Sequence, residues 1–186
     1  MKQILPILTL TTLTAAAAFA DASATAAASS GLSYNRVGIS REGQNNNLSV
    51  SQLLGSSDVL LGLSTRSYAT NGSYTNEENY VFLSLGYVFK NVAAGVDATV
   101  YVGAGDQYDN SAVGVNLRRS LSEVYNGLEI ALGYEDRQGT GNNANQSAWS
   151  YELAYNINKQ FSIAYGIVDE KGADENRNTV TVRYNF

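Results

Sequence analysis

The sequence predicts an all-β protein, a closed antiparallel up-and-down transmembrane β-barrel of ten strands. Three observations carry this. Apolar residues recur at every second position in ten segments between Leu32 and Phe186, the period of a strand with one oily and one wet face. Short turns alternate with longer polar connections, the pattern of membrane barrels. The chain also ends inside such a segment: Val180, Val182, Tyr184 and Phe186 share one face, and Thr179, Thr181, Arg183 and Asn185 the other. Inside a bilayer a strand edge must be paired, and pairing the last strand with the first closes the sheet.

The N-terminus is expected to be an export signal. Lys2 supplies the positive start, Ile4 to Leu13 a short apolar run, and Ala18-Phe19-Ala20 a small-x-small cleavage site. Residues 1–20 are thus assigned to a signal peptide, 21–30 to a flexible Ala/Ser/Thr leader, and 31–186 to the barrel. The apolar run is too short to span a membrane as a helix. Loss of Lys2 takes the net charge from −5 to −6. An acidic chain without a basic cluster argues against nucleic acid as a partner. Cys is absent, which removes disulfides and thiolate metal sites, and His is absent, which removes the commonest general base and metal ligand. The single Pro, Pro6, lies in the expected signal peptide, so no proline interrupts a later strand.

The first strand is placed at Leu32–Arg41, with a slip in alternation near Arg36 and Val37 that predicts a bulge or a register error. The second covers Leu48–Leu54 and turns through Gly55-Ser56-Ser57-Asp58; the third covers Val59–Ala69. The fourth, Asn79–Phe89, aligns Val81, Leu83, Leu85, Tyr87 and Phe89, with Lys90-Asn91 as a tight turn. The fifth, Val92–Ala104, sets Val96, Val100 and Val102 against Asp97, Thr99 and Tyr101. The sixth, Ser111–Leu121, is followed by Asn126-Gly127, a strong hairpin signal. The seventh covers Leu128–Arg137, the eighth Ser147–Ile157 and the ninth Phe161–Val168. Asp169 to Asn178 is read as a charged loop before the tenth strand. Eight strands is the count if the first three segments are misread.

Tyr184 and Phe186 give the chain an ending that resembles the C-terminal assembly signal of Gram-negative outer-membrane β-barrels, a terminal aromatic with a second one two residues earlier. That family usually carries Gly three positions before the second aromatic, where this chain has Thr181. The chain resembles the small, porin-like outer-membrane barrels over the signal and nearly all the remaining length. The resemblance implies an outer-membrane location, contact with outer-membrane lipid and lipopolysaccharide, and insertion by the barrel assembly machinery. Tyr87, Phe89 and Tyr155 would lie at one membrane interface and Tyr134 and Trp149 at the other, where amphipathic or bulky rings suit the headgroup level.

A soluble lipocalin-like binding barrel has the same alternation turned inside out. Here the polar face is mostly Gly, Ala, Ser and Thr, which suits a crowded interior, while the oily face recurs on nearly every strand. With the oily face outward, Asp97, Arg118, Glu129, Glu152 and Arg183 point into the lumen, with Arg66 and Glu135 as further candidates. Charges held away from water there are expected to pair.

Enzymes of comparable architecture, the omptin-type proteases, lipid A deacylases and palmitoyltransferases, rely on a His that this chain lacks. Glu129 and Glu152 could form a carboxylate pair, but Arg118 nearby favours salt bridging. No cofactor or metal is expected. The sequence therefore favours a non-enzymatic structural barrel presenting surface loops, with a narrow channel for ions or small polar solutes as the alternative.

Overall fold

The computed structural model describes residues 31–42, 45–67, 79–105, 111–138, 146–171 and 176–186. They form ten strands: β1 (Arg36–Glu42), β2 (Asn45–Leu53), β3 (Val59–Ser67), β4 (Asn79–Ala93), β5 (Val96–Gly105), β6 (Ser111–Ser120), β7 (Leu128–Gln138), β8 (Gln146–Asn156), β9 (Phe161–Glu170) and β10 (Arg177–Asn185). Each pairs antiparallel with its sequence neighbours, and β1 pairs with β10 from Arg36↔Asn185 to Glu42↔Thr179, closing the barrel. Closure leaves no free edge.

The oily side chains point outward. Val182 is 56% exposed and Ile163 43%, whereas Glu129 is 4% and Arg183 8% exposed. Exposed large apolar side chains recur along β4 to β6 and β8 to β10, as Leu83, Val102, Val113, Leu153, Ile163 and Val182 show, and so broad an apolar face needs an apolar surrounding. This inverts the usual soluble arrangement: the core is the lumen, and the lumen is polar. Buried Asp97, Thr99, Arg118, Ser162, Thr181 and Asn185 line it. The last strand shows the rule most cleanly, its buried Thr181, Arg183 and Asn185 alternating with exposed Val180, Val182 and Tyr184.

Small residues make room for the large ones. Phe82 lies over Gly103 and Tyr101 over Gly114, so that a Cβ at either glycine would collide with the ring above it. Aromatic cover of a bare strand glycine fills the gap and holds the register.

Three expectations need correction. The first strand begins at Arg36, not Leu32, and its register with both neighbours is regular. The slip in alternation marks the point where an irregular segment, 31–35, enters the strand. β4 runs past Lys90-Asn91 to Ala93, and the turn falls at Ala94-Gly95. A bulge between Phe89 and Ala93 absorbs the extra residues. Asn91 takes a left-handed φ of 51°, which Asn tolerates better than most residues. Its N–H donates to Asp97 Oδ1 at 2.8 Å, and its Oδ1 accepts from Gly95 N–H at 3.0 Å. β2 begins at Asn45 rather than Leu48, because Asn45 to Asn47 pair with Glu42 to Ser40. Residues 1–30, including the expected signal and leader, lie outside the described residues, as does the whole stretch expected to link the third and fourth strands.

Candidate functional site: the barrel interior

The start of β1, the end of β10 and the connections β2–β3, β4–β5, β6–β7 and β8–β9 share one end of the barrel, the terminal end; the other connections lie at the loop end. Alternation decides which side chains enter the lumen, and pairing register decides which of them meet.

Near the terminal end, Asp97↔Arg118 is a register pair between β5 and β6. Arg118 turns to Glu129 of β7, with Nε donating to Oε1 at 2.8 Å and Nη2 lying 2.6 Å from the same oxygen. Both side chains are 5% exposed. Arg118 Nη1 also donates to the Ser33 carbonyl at 3.0 Å, and the guanidinium sits 4.8 Å from the Tyr34 ring centroid. Tyr34 donates its hydroxyl to Asp97 Oδ2 at 2.7 Å. Arg183 of β10 pairs with Glu152 of β8.

Segment 31–35 is thereby built into the terminal mouth. Leu32 and Tyr34 are each 4% exposed and pack with Leu53, Leu60 and Val88. Ser51 Oγ donates to the Tyr34 carbonyl at 2.7 Å, Leu53 N–H to Asn35 Oδ1 at 2.8 Å, and Phe186 N–H to the Asn35 carbonyl at 3.0 Å. The result is an apolar wedge capped by ion pairs. Burial pushes the Tyr34 hydroxyl well above the ordinary tyrosine range; the positive Arg118 opposes this, and the hydrogen bond to Asp97 adds to it.

A second network lies toward the loop end. Tyr101 donates its hydroxyl to Glu135 Oε2 at 2.6 Å, and Arg137 Nε meets Glu135 Oε1 at 2.5 Å. Arg137 Nη1 reaches Glu170 Oε1 at 2.6 Å, and Arg177 Nη2 lies 3.3 Å from Glu170 Oε2. Sequence reading did not single out Arg137, Glu170 and Arg177, because Glu170 and Arg177 fall in the stretch taken as a loop. The i, i+2 spacing of Glu135 and Arg137 was the available signal: both lie on one face of a strand. The side chain of Arg66 lies outside the described residues.

Between the two networks is a cavity of about 120 Å³ bordered by Arg36, Asn116, Arg118, Ser150, Glu152 and Thr179. A larger concavity, about 600 Å³, lies on the outer wall over Leu117, Ile130, Leu153 and Tyr165 and is overwhelmingly apolar. It belongs to the oily belt and offers no grouping of reactive side chains.

The aromatics form contacts at both rims. Tyr87 and Phe89 have centroids 4.9 Å apart, Tyr125 and Tyr155 5.9 Å, and Phe161 and Tyr184 5.3 Å, with Tyr184 stacked on Phe186 at 6.5 Å. Toward the loop end, Tyr134 and Trp149 are 4.8 Å apart.

Known structures share this fold. A KdgM porin superposes with a TM-score of 0.53 at 14% identity, over 81% of this chain and 98% of that one. A NanC porin superposes with a TM-score of 0.51 at 11% identity, over 81% and 98% respectively. No family model matches the chain, and no curated protein matches it by sequence. At these identities the likeness is one of fold: a small, porin-like, closed antiparallel β-barrel.

Proposed function

We propose that this protein is an integral bacterial outer-membrane barrel without enzymatic activity, its interior packed shut by ion pairs and its function borne by the loops at the end away from the termini. The observation that carries this is the buried Arg118–Glu129 pair, capped by Tyr34 in the terminal mouth. A water-filled pore would leave its lining charges solvated; here Arg118, Glu129, Glu135, Glu170 and Arg183 are all buried. Absence of His from the whole chain removes the usual base for nucleophilic catalysis. On this reading residues 1–20 direct export, the oily belt contacts outer-membrane lipid and lipopolysaccharide, and Tyr184 and Phe186 are read by the barrel assembly machinery.

The test is planar-bilayer conductance of the purified, refolded protein. Silence at moderate voltage is expected; stepwise ohmic openings would overturn the packed-interior reading.

The cavity of about 120 Å³ and the fold shared with porins favour a second reading, a narrow channel for ions or small polar solutes. Passage would then require segment 31–35 to leave its seat, because Leu32 and Tyr34 fill the terminal mouth. Under that reading Tyr34→Ala conducts more than the parent chain.

A further inference from the structure

Among the described residues, each buried lumen carboxylate accepts from a donor, but one half-buried, inward-facing cation has no acceptor. Arg118 is bound by Glu129, Arg183 by Glu152, and Arg137 and Arg177 by Glu170. Arg36, at the start of β1, points inward by register, since it sits between Asn185 and Ser51 in the ladder. Its guanidinium makes no hydrogen bond or ion pair with any described residue. It borders the interior cavity instead, and its electrostatic neighbours are the cations Arg118 and Arg183 and the carboxylates Glu152 and Glu129. Those two carboxylates are already taken by Arg118 and Arg183. The remaining carboxylate at this depth, Asp97, accepts from the Tyr34 hydroxyl and the Asn91 N–H.

An arginine does not shed its proton in a protein. An unpaired cation in a low-dielectric interior is costly, and a bound counter-ion offsets that cost. Arg36 therefore fronts a polar space with no acceptor of its own. Asn116 supplies an amide donor there, and Ser150 and Thr179 supply hydroxyl donors. Guanidinium presents paired N–H groups in a plane, a fork matched to two oxygens of one anion. A volume of about 120 Å³ admits an ion of acetate or phosphate size with a water or two, taking roughly 30 Å³ per water. The Glu152 carboxylate on the rim disfavours a multiply charged guest, so a monoanion is preferred.

We propose that the lumen carries a resident site for one small oxyanion, monocarboxylate or monovalent phosphate, held by Arg36 with Asn116, Ser150 and Thr179. The site does not require the barrel to conduct, so it stands or falls separately from the packed-interior reading.

The test uses the full refolded barrel in detergent, titrated with acetate and, separately, with phosphate at pH 6. Ionic strength is held constant with a bulky sulfonate, and Tm is followed. A saturable rise in Tm by several degrees is expected for the parent chain and for Arg119→Gln, whose arginine pairs with Glu123 in an exposed setting; Arg36→Gln should lose it. Equilibrium dialysis of the parent chain with radiolabelled acetate and phosphate keeps the test open if Arg36→Gln does not fold, with about one ion per barrel expected. A rise with acetate alone assigns a carboxylate guest, and a rise with phosphate alone a phosphate guest. Equal, non-saturating responses in all three proteins, or dialysis that finds no bound ion, would overturn the site.

Discussion

Arg118 and Glu129 meet inside the barrel at 2.6 Å, each 5% exposed, with the Arg118 guanidinium lying over the Tyr34 ring. The pair locks β6 to β7 and both to the segment that fills the terminal mouth. Removing one partner leaves the other charged and buried, which costs about 3–5 kcal/mol. Glu129→Ala should therefore lower the unfolding midpoint markedly. Glu123→Ala should change it little, because the Arg119–Glu123 pair is 39% and 52% exposed and such pairs contribute about 0–1 kcal/mol. Urea unfolding of the lipid-reconstituted protein compares them. Equal midpoints for the two variants, or a change in conductance without a change in midpoint, would remove the structural role assigned to the interior pairs.

Tyr34 makes stability depend on alkaline pH. Its hydroxyl holds its proton more tightly in the folded state, chiefly because it is buried, with Arg118 opposing and the Asp97 hydrogen bond adding. A raised folded value means the contribution is complete below the unfolded tyrosine value, about 10, and is lost as pH climbs above it. Between pH 9 and 11.5 the parent chain should lose Tm more steeply than Tyr34→Phe. Parallel curves would show that Tyr34 ionises freely and is not seated as described.

Gly114 is under the Tyr101 ring, and Tyr101 is tied to Glu135 at 2.6 Å. A valine at position 114 would force the ring aside and strain that bond. Over-packing of this kind costs about 1–3 kcal/mol. Gly114→Val should destabilise by that order, and Gly114→Val in a Tyr101→Ala background should destabilise less, a non-additivity read by a double-mutant cycle. Additive effects would mean that the ring and the glycine are not in contact.

Much of this architecture was legible in the chain. Alternation is readable when the two faces differ in chemistry, and here Val180, Val182 and Tyr184 differ sharply from Thr181, Arg183 and Asn185. The same signal misled where it continued past the end of pairing. Leu32 and Tyr34 keep the period of two, yet they leave the sheet to fill the mouth, and nothing local distinguishes a strand residue from a plug residue with the same spacing. At the β4–β5 hairpin, Val92 and Ala94 extend the apolar alternation through a bulge, so alternation alone predicts the turn too early. The network of Glu135, Arg137, Glu170 and Arg177 depends on register across four strands, which composition does not encode. Arg36 sits at the apparent slip, where alternation assigns it to neither face.

The oily wall gives a direct substitution test. Val100 of β5 is outward-facing and central in its strand, paired with Val115. Arginine in the middle of a lipid-facing strand costs about 2–4 kcal/mol. Val100→Arg should reduce folding yield into vesicles and lower the unfolding midpoint by that order. On a water-facing wall the same change would be close to neutral.

The outward orientation of the apolar face underlies every inference above, and the native chain carries its own probe of it. Trp149 is the single tryptophan, on the outer wall beside Tyr134 and 44% exposed. Its fluorescence should be quenched strongly by phospholipids brominated near the carbonyl end of the acyl chain and weakly by aqueous iodide. Strong iodide quenching with no effect of brominated lipid would place that face in water and contradict a membrane barrel.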